Sequence, residues 1–113
     1  MAISILEPRA RGKPGTESIV MDTKLEAARK KIQDIDREMA VLFEQRMQAV
    51  SEIAAFKKEH GLAVTDEAQE RRVLARNAAY IRDEQLKPYY LAFMRDTMTV
   101  SKQYQEQLMK GKE

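Results

Sequence analysis

Residues 25–56 read LEAARKKIQDIDREMAVLFEQRMQAVSEIAAF, and hydrophobic side chains recur along them in steps of three and four. The series comprises Leu25, Ala28, Ile32, Ile35, Met39, Leu42, Arg46, Ala49, Ile53 and Phe56. Nine of these ten positions are hydrophobic, and the spacing predicts one long helix whose apolar stripe packs against other helices. Arg46 is the exception. Because an unpaired buried charge costs several kcal/mol, it needs an anionic partner from the protein or from a ligand.

Two further cations, Arg29 and Lys57, flank the same stripe. Lys57 follows Arg46 by eleven residues, so the two side chains point the same way and lie about 16 Å apart along the helix axis. Long side chains from both positions could close on one ligand. Three cations on the buried side of one helix indicate a helical protein that holds a small anion. Within the chain, Glu70 is the alternative partner for Arg46.

The composition excludes several classes of protein. The 113 residues are enough for one domain, and 20 basic against 18 acidic residues give a formal net charge of +2, which does not favour nucleic acid or membrane as a partner. With no cysteine and one histidine, thiolate and histidine-cluster metal sites are excluded. No apolar run approaches the ~20 residues that span a bilayer, and there is no secretory h-region. We expect a soluble cytoplasmic protein.

The chain divides into a tail and a helical domain. Residues 1–21 hold two of the three prolines and two of the four glycines, which predicts a flexible N-terminal tail. Residues 22–110 are predicted to be all-α, because no β-type alternation occurs in them. Helix 1 should begin at about residue 22 and end at His60, with Gly61 as its C-terminal cap.

Two shorter helices follow, about residues 66–82 and from near Pro88 to about Lys110. The inward face of the second helix is Asp66, Glu70, Val73, Leu74, Asn77 and Ile81. The inward face of the third helix is Tyr90, Phe93, Met94, Thr97, Ser101, Gln105 and Leu108. Each of these faces therefore carries a polar pair four residues apart, Asp66 with Glu70 and Ser101 with Gln105.

Simpler roles are open for these polar residues. Asp66 fits the N-cap of helix 2, with Gln69 as its capping-box partner. Ser101 and Gln105, taken alone, fit a solvent-facing position. Asn77 and Thr97 fit local hydrogen bonds better than ligand contacts. A site is favoured by the coincidence of polar residues on all three helices, with both signs of charge and neutral donors.

The length of helix 1 predicts a dimer. At ~1.5 Å per residue the helix is roughly 55 Å long, and two short helices cannot cover its stripe. Arg29 lies about 25 Å along the axis from Arg46, too far for one small ligand to reach both. If two copies of helix 1 run antiparallel, Arg29 of one chain approaches Arg46 of the other. Two equivalent sites per homodimer follow, each built from both chains.

These residues, in this order, resemble the all-helical class of single-domain chorismate mutases over about residues 25–107. The matching segments are LEAARKKIQDID at 25–36, LFEQR at 42–46, IAAFKK at 53–58 and SKQYQ at 101–105. Between them lies an acidic pair like Asp66 and Glu70, after a short loop. Each element alone is a weak signal, and the combined spacing is specific.

The resemblance implies a three-helix chain in an intertwined homodimer that converts chorismate to prephenate. This isomerase reaction is a Claisen rearrangement and belongs to the shikimate pathway of Phe and Tyr biosynthesis. It requires no metal and no cofactor. The enzyme has to hold a flexible dicarboxylate in a compact conformer and to stabilise negative charge on the ether oxygen.

Roles for the site residues follow from the same resemblance. Arg46, and Arg29 of the partner subunit, would each hold a carboxylate, since guanidinium binds carboxylate as a fork. Lys57 and Gln105 would donate hydrogen bonds to the ether oxygen. These four residues would bind and activate the substrate.

The remaining site residues are two acids, Glu70 and Asp66, and one serine, Ser101. Glu70 would accept from the ring hydroxyl with Asp66 assisting, and Ser101 would bond a carboxylate. The chain departs from the family at Gln69, where the usual pattern Asp-x-x-Arg-Glu has arginine; Arg71 and Arg72 point elsewhere and are not counted as replacements. The serine–glutamine pair could also be set one turn earlier, at Thr97 and Ser101, but that register loses the glutamine.

Three other functions compete with the mutase interpretation. An isochorismate-pyruvate lyase on the same scaffold would keep the two arginines and the lysine. A non-catalytic helical dimer that regulates another shikimate-pathway enzyme would be expected to lose the site cations, which this chain keeps. A DNA-binding helical protein is the least favoured, because the charge is nearly neutral and no basic face is present.

Overall fold

The described part of this computed structural model, residues 16–111, is helical throughout its regular elements. Helix α1 covers Thr16–His60, α2 covers Glu67–Ala78 and α3 covers Lys87–Lys110. A 3₁₀ turn at Glu84–Leu86 precedes α3. Side chains are described from residue 22 onward, and no strand occurs between residues 16 and 111. The prediction of an all-α chain with one long and two shorter helices is confirmed.

Helix α1 begins at Thr16, six residues before the predicted start at residue 22. Residues 16–21 read TESIVM, with neither proline nor glycine, so nothing in them stops the helix from extending back toward Gly15. The first part of the predicted tail, residues 1–15, lies outside the described residues.

Gly61 ends α1 as predicted. Its φ of 65° lies in the left-handed region, which costs glycine little because it has no Cβ. The Leu62 N–H donates to the Lys57 carbonyl at 2.8 Å and the Gly61 N–H donates to the Lys58 carbonyl at 3.4 Å. This pair of bonds is the Schellman motif, which satisfies the last carbonyls of the helix and turns the chain toward α2.

Helix α2 ends at Ala78, four residues earlier than predicted. After it, the N–H groups of Ala79, Tyr80 and Ile81 each donate to the carbonyl three residues back, at 3.0–3.2 Å. Such bonds tighten a helix end into turns. Asp83 then caps the 3₁₀ turn by accepting from the Gln85 N–H at 2.9 Å, and Pro88 occupies the first turn of α3.

The chain divides into two units after Glu44. In the first unit, charged side chains line one side of α1: Lys30 donates to Asp34 at 2.7 Å and Arg37 donates to Asp34 at 3.4 Å. The Lys30 hydrogen bond in particular lowers the pKa of the Asp34 carboxyl. Ile35 and Leu42 of the predicted stripe are 53% and 61% exposed in the single chain.

The second unit, from Gln45 onward, contains the buried core. Val50, Ala54 and Met94 are buried, and Ser101 and Gln105 are buried with them. The predicted inward faces of α2 and α3 are confirmed, because their residues are buried or half-buried; Asp66, just before α2, is the exception and is exposed.

The stripe on the last turns of α1 differs from the prediction. Val50 and Ala54 are buried, whereas Ile53 and Phe56 are 49% and 56% exposed and Ala49 is also exposed. The inward row therefore runs from Arg46 in steps of four, four and three to Lys57, one position later than predicted after Arg46. Both rows fit a period of 3.6, and both carry apolar residues, so periodicity alone could not separate them.

Candidate active site

Arg46 and Ser101 join α1 to α3 through a side-chain hydrogen bond. The Arg46 Nη1 donates to the Ser101 Oγ, and the Ser101 Oγ donates in turn to the Thr97 carbonyl at 2.9 Å. Ser101 is 5% exposed and Arg46 is half-buried. The serine hydroxyl thus uses its one proton within α3 and offers its oxygen to the guanidinium, which fixes where Arg46 points.

The Lys57 side chain is held by Gln105, which lies one turn of α3 beyond Ser101. Its Nζ donates to the Val64 carbonyl at 2.7 Å and to the Gln105 Oε1 at 3.2 Å. A lysine ammonium has three donors, so one N–H of Lys57 is left for a ligand. Gln105 is 6% exposed, and its bond to Lys57 turns the amide oxygen toward the ammonium.

These contacts make the two cations converge. Arg46 and Lys57 are separated by about 16 Å of helical rise on α1, whereas Ser101 and Gln105 are separated by about 6 Å on α3. Each cation bonds one member of the α3 pair, so the two bonds are anchored on neighbouring turns of α3. That the side chains of Arg46 and Lys57 close on one ligand stays a prediction.

The acidic pair, Asp66 and Glu70, contacts neither Arg46 nor Lys57 through a hydrogen bond or ion pair. Glu70 Oε2 lies 3.1 Å from the Lys102 Nζ, with side chains 28% and 30% exposed. Glu70 therefore pairs with Lys102, and the alternative in which Glu70 is the partner of Arg46 is wrong. Asp66 caps α2, since its Oδ1 accepts from the Gln69 N–H at 3.1 Å. The Gln69 side chain does not complete a capping box; its Oε1 accepts from the Arg72 Nε at 3.1 Å.

Two polar residues on the inward faces have local roles, as predicted. The Asn77 Nδ2 donates to the Val73 carbonyl at 2.9 Å, and the Thr97 Oγ1 donates to the Phe93 carbonyl at 2.9 Å. Both bonds stay within one helix. Neither side chain is needed to explain the cluster around Arg46 and Lys57.

Comparison with protein families identifies the family of this chain. The family model for chorismate mutase type II matches residues 28–106, well over half of the chain. The chain belongs to this family. Every candidate site residue, from Arg29 to Gln105, falls inside the matched range, and a chorismate mutase domain implies an isomerase. Comparisons with curated proteins and with solved structures gave no match.

Two contacts within this chorismate mutase domain are not among the sequence predictions: the ion pair of Lys102 with Glu70 and the hydrogen bond of Lys57 to the Val64 carbonyl. Lys102 had a signal: Met98, Lys102, Gln105 and Met109 form a second row on α3 in steps of four, three and four. A cation in such a row is the same anomaly that singles out Arg46. The Val64 carbonyl had no signal, because a backbone acceptor carries no residue type.

Arg29 belongs to the first unit and is described there by itself. Its Nη1 lies 3.0 Å from the Glu26 Oε2, and its side chain is 32% exposed. Its contribution to the site of a second copy stays a prediction. Among the described residues, no three His, Cys, Asp or Glu side chains group as a metal site requires, and no helix has the length and apolarity to cross a membrane.

Substitutions of Asp66 separate its capping oxygen from its charge. Asp66→Ala removes the bond to the Gln69 N–H and should lower the free energy of unfolding by about 1 kcal/mol. Asp66→Asn keeps a capping oxygen and should unfold with the wild-type midpoint. Urea unfolding followed by circular dichroism at one protein concentration measures both, and equal losses in the two variants would contradict the capping role.

Proposed function

We propose that this protein catalyses the rearrangement of chorismate to prephenate. The observation that carries the proposal is the convergence of Arg46 and Lys57 of α1 on Ser101 and Gln105 of α3, in a chain of the chorismate mutase type II family. The reaction breaks the ether C–O bond and forms a C–C bond within one molecule. Catalysis therefore rests on holding the substrate in a reactive conformer and stabilising the charge that develops.

Arg46 is the residue best prepared to hold a substrate carboxylate. Its direction is fixed by the Ser101 oxygen, a neutral acceptor that leaves the positive charge uncompensated. A guanidinium binds a carboxylate through two parallel N–H groups. Ser101 then acts mainly by orienting Arg46, because its proton is engaged by the Thr97 carbonyl.

Lys57 and Gln105 are proposed to stabilise the ether oxygen. Both acceptors of Lys57 are neutral, and one N–H remains to point at a ligand. As the C–O bond breaks, negative charge grows on the oxygen, and a fixed donor there is worth about 3–4 kcal/mol. The amide nitrogen of Gln105 supplies the second donor.

Glu70 is proposed to accept a hydrogen bond from the ring hydroxyl, with Asp66 assisting from the start of α2. Glu70 is half-buried and its Oε2 faces Lys102, which leaves Oε1 for the substrate. Asp66 is exposed and caps α2, so its contribution is the smaller of the two.

A second copy of the chain is proposed to complete the site. Ile32, Ile35 and Leu42 are 41–61% exposed in the single chain, and a row of such side chains is typical of an interface. An antiparallel copy of α1 would cover this row and bring Arg29 of the partner subunit to the second carboxylate. The resulting homodimer holds two equivalent sites. We place the reaction in cytoplasmic Phe and Tyr biosynthesis, where prephenate is the precursor.

The decisive assay is the loss of chorismate absorbance on adding purified protein. Wild type should convert chorismate to prephenate, and Arg46→Ala should reduce kcat/KM by at least about a hundredfold, because the charge-assisted contact of the guanidinium with a carboxylate is lost. Arg95→Ala, at an exposed arginine of α3, is the matched control and should keep full activity.

Product analysis completes that test. Wild-type activity no higher than the uncatalysed rate would overturn the proposal. Isochorismate offered to the same protein separates the lyase, because salicylate and pyruvate in place of prephenate would identify lyase activity instead.

Lys57→Ala should damage turnover more than Ser101→Ala. The lysine donates to the developing charge and its loss should lower kcat by about 10²- to 10³-fold. Ser101→Ala removes one acceptor from Arg46 but leaves its charge, so a loss of about tenfold is expected. Lys58→Ala, at the exposed neighbouring lysine, is the control for Lys57. Equal losses for Lys57→Ala and Ser101→Ala would contradict the role given to Lys57.

Mixing two inactive variants tests the shared site. Arg29→Ala and Arg46→Ala should each be nearly inactive alone. In a mixed dimer one of the two sites regains both arginines, so unfolding and refolding an equal mixture should restore about a quarter of wild-type activity.

A mixture of Arg46→Ala and Lys57→Ala is the control for this experiment. Those two residues belong to the same chain at each site, so no mixed dimer has an intact site and activity should stay at the level of the separate variants. Failure of the first mixture to gain activity over this control would show that Arg29 does not act across the dimer.

A further inference from the structure

We propose that Lys102 is a positioning residue that holds the Glu70 carboxylate in place for the ring hydroxyl of the substrate; the inference rests on the function proposed above. Lys102 belongs to α3, and its ammonium pairs with Glu70 of α2. It contacts no reacting atom in this proposal and acts through Glu70.

The geometry of the pair supports this role. The Lys102 Nζ lies 3.1 Å from one carboxylate oxygen of Glu70, and both side chains are about 70% covered, at 30% and 28% exposure. The pair joins α3 to α2 across 32 residues of sequence. By contrast, the ion pairs of Lys30, Arg37 and Lys87 link residues three or four apart, and their acidic partners Asp34 and Glu84 are 46% and 81% exposed. Such surface pairs contribute little to stability.

The position of Lys102 on α3 ties it to the candidate site. It directly follows Ser101, which holds Arg46, and it precedes by three residues Gln105, which holds Lys57. One segment of α3 therefore fixes a guanidinium, an ammonium and a carboxylate.

The charges of the cluster give a second reason. Without a cation beside it, the Glu70 carboxylate would place an uncompensated negative charge in a site proposed for a dicarboxylate, and Lys102 offsets that charge. Position 69, beside Glu70, is glutamine, and its side chain accepts from Arg72, which is itself exposed. Lys102 therefore supplies, from α3, the cation that α2 does not supply at Gln69.

The consequence for the reaction lies in orientation. With Oε2 tied to Lys102, the carboxylate cannot rotate freely and Oε1 has a fixed direction. A fixed acceptor holds the ring hydroxyl, and with it the ring, in the compact conformer that reacts. Losing the ammonium should therefore lower kcat more than it raises KM, because the substrate still binds through its carboxylates.

The experiment compares three variants in chorismate turnover. Lys102→Met should lower kcat by about tenfold or more, since small misplacements of a catalytic contact cost one to two orders of magnitude. Lys102→Arg keeps the ion pair and should recover most of the rate. Lys87→Met is the matched control: its lysine is also 30% exposed and paired with a glutamate, Glu84, and its kcat should equal that of wild type.

A double-mutant cycle with Glu70→Gln shows whether Lys102 acts through Glu70. If it does, Lys102→Met should cause no further loss of kcat in the Glu70→Gln background. Multiplicative losses would overturn the inference, because they would mean that Lys102 contacts the substrate directly. Equal kcat values for Lys102→Met and Lys87→Met would also overturn it, with the mutase function intact. An inactive wild type would overturn the proposed function and this inference together.

Discussion

The charge of Arg46, set in the interface between α1 and α3, is the constraint on which the rest of the site depends. An unpaired guanidinium in this position would be costly, and the chain meets the cost with a serine hydroxyl and not with a carboxylate. The choice of a neutral acceptor has two effects. It satisfies one donor of the guanidinium, and it leaves the positive charge without a counter-charge from this contact. A carboxylate in the place of Ser101 would neutralise the guanidinium and weaken its attraction for the anion proposed as its ligand.

Much of the fold could be predicted because the signals are local. Gly61 ends α1 and Asp66 starts α2 as the sequence indicates, since one residue supplies the required conformation or oxygen in each case. The end of α2 could not be predicted as well. The apolar pattern continues to Ile81, while the backbone leaves the helix at Ala79 through bonds three residues back. The apolar pattern indicates which side chains are covered. It does not indicate which hydrogen bonds the backbone of the same segment makes.

The candidate site was predictable to a similar degree. Arg46, Lys57, Ser101 and Gln105 stand out because each is polar on an apolar face, and the structure brings them together. Two features needed the structure. The partner of Glu70 is on another helix, and the inward row of α1 shifts by one position after Arg46 because Val50 and Ala54, not Ala49 and Ile53, face inward. Such choices depend on how side chains fit across helices, which one sequence does not specify.

The Schellman turn at Gly61 has a consequence beyond ending a helix. It sends the chain back so that the carbonyl of Val64 lies 2.7 Å from the Lys57 ammonium. The spacing of seven residues between donor and acceptor thereby becomes part of the geometry of the candidate site. Inserting or deleting a residue in this short connection would displace the carbonyl that anchors the Lys57 ammonium, without altering any side chain that contacts it. A connection of another length would therefore need a different anchor for the same lysine.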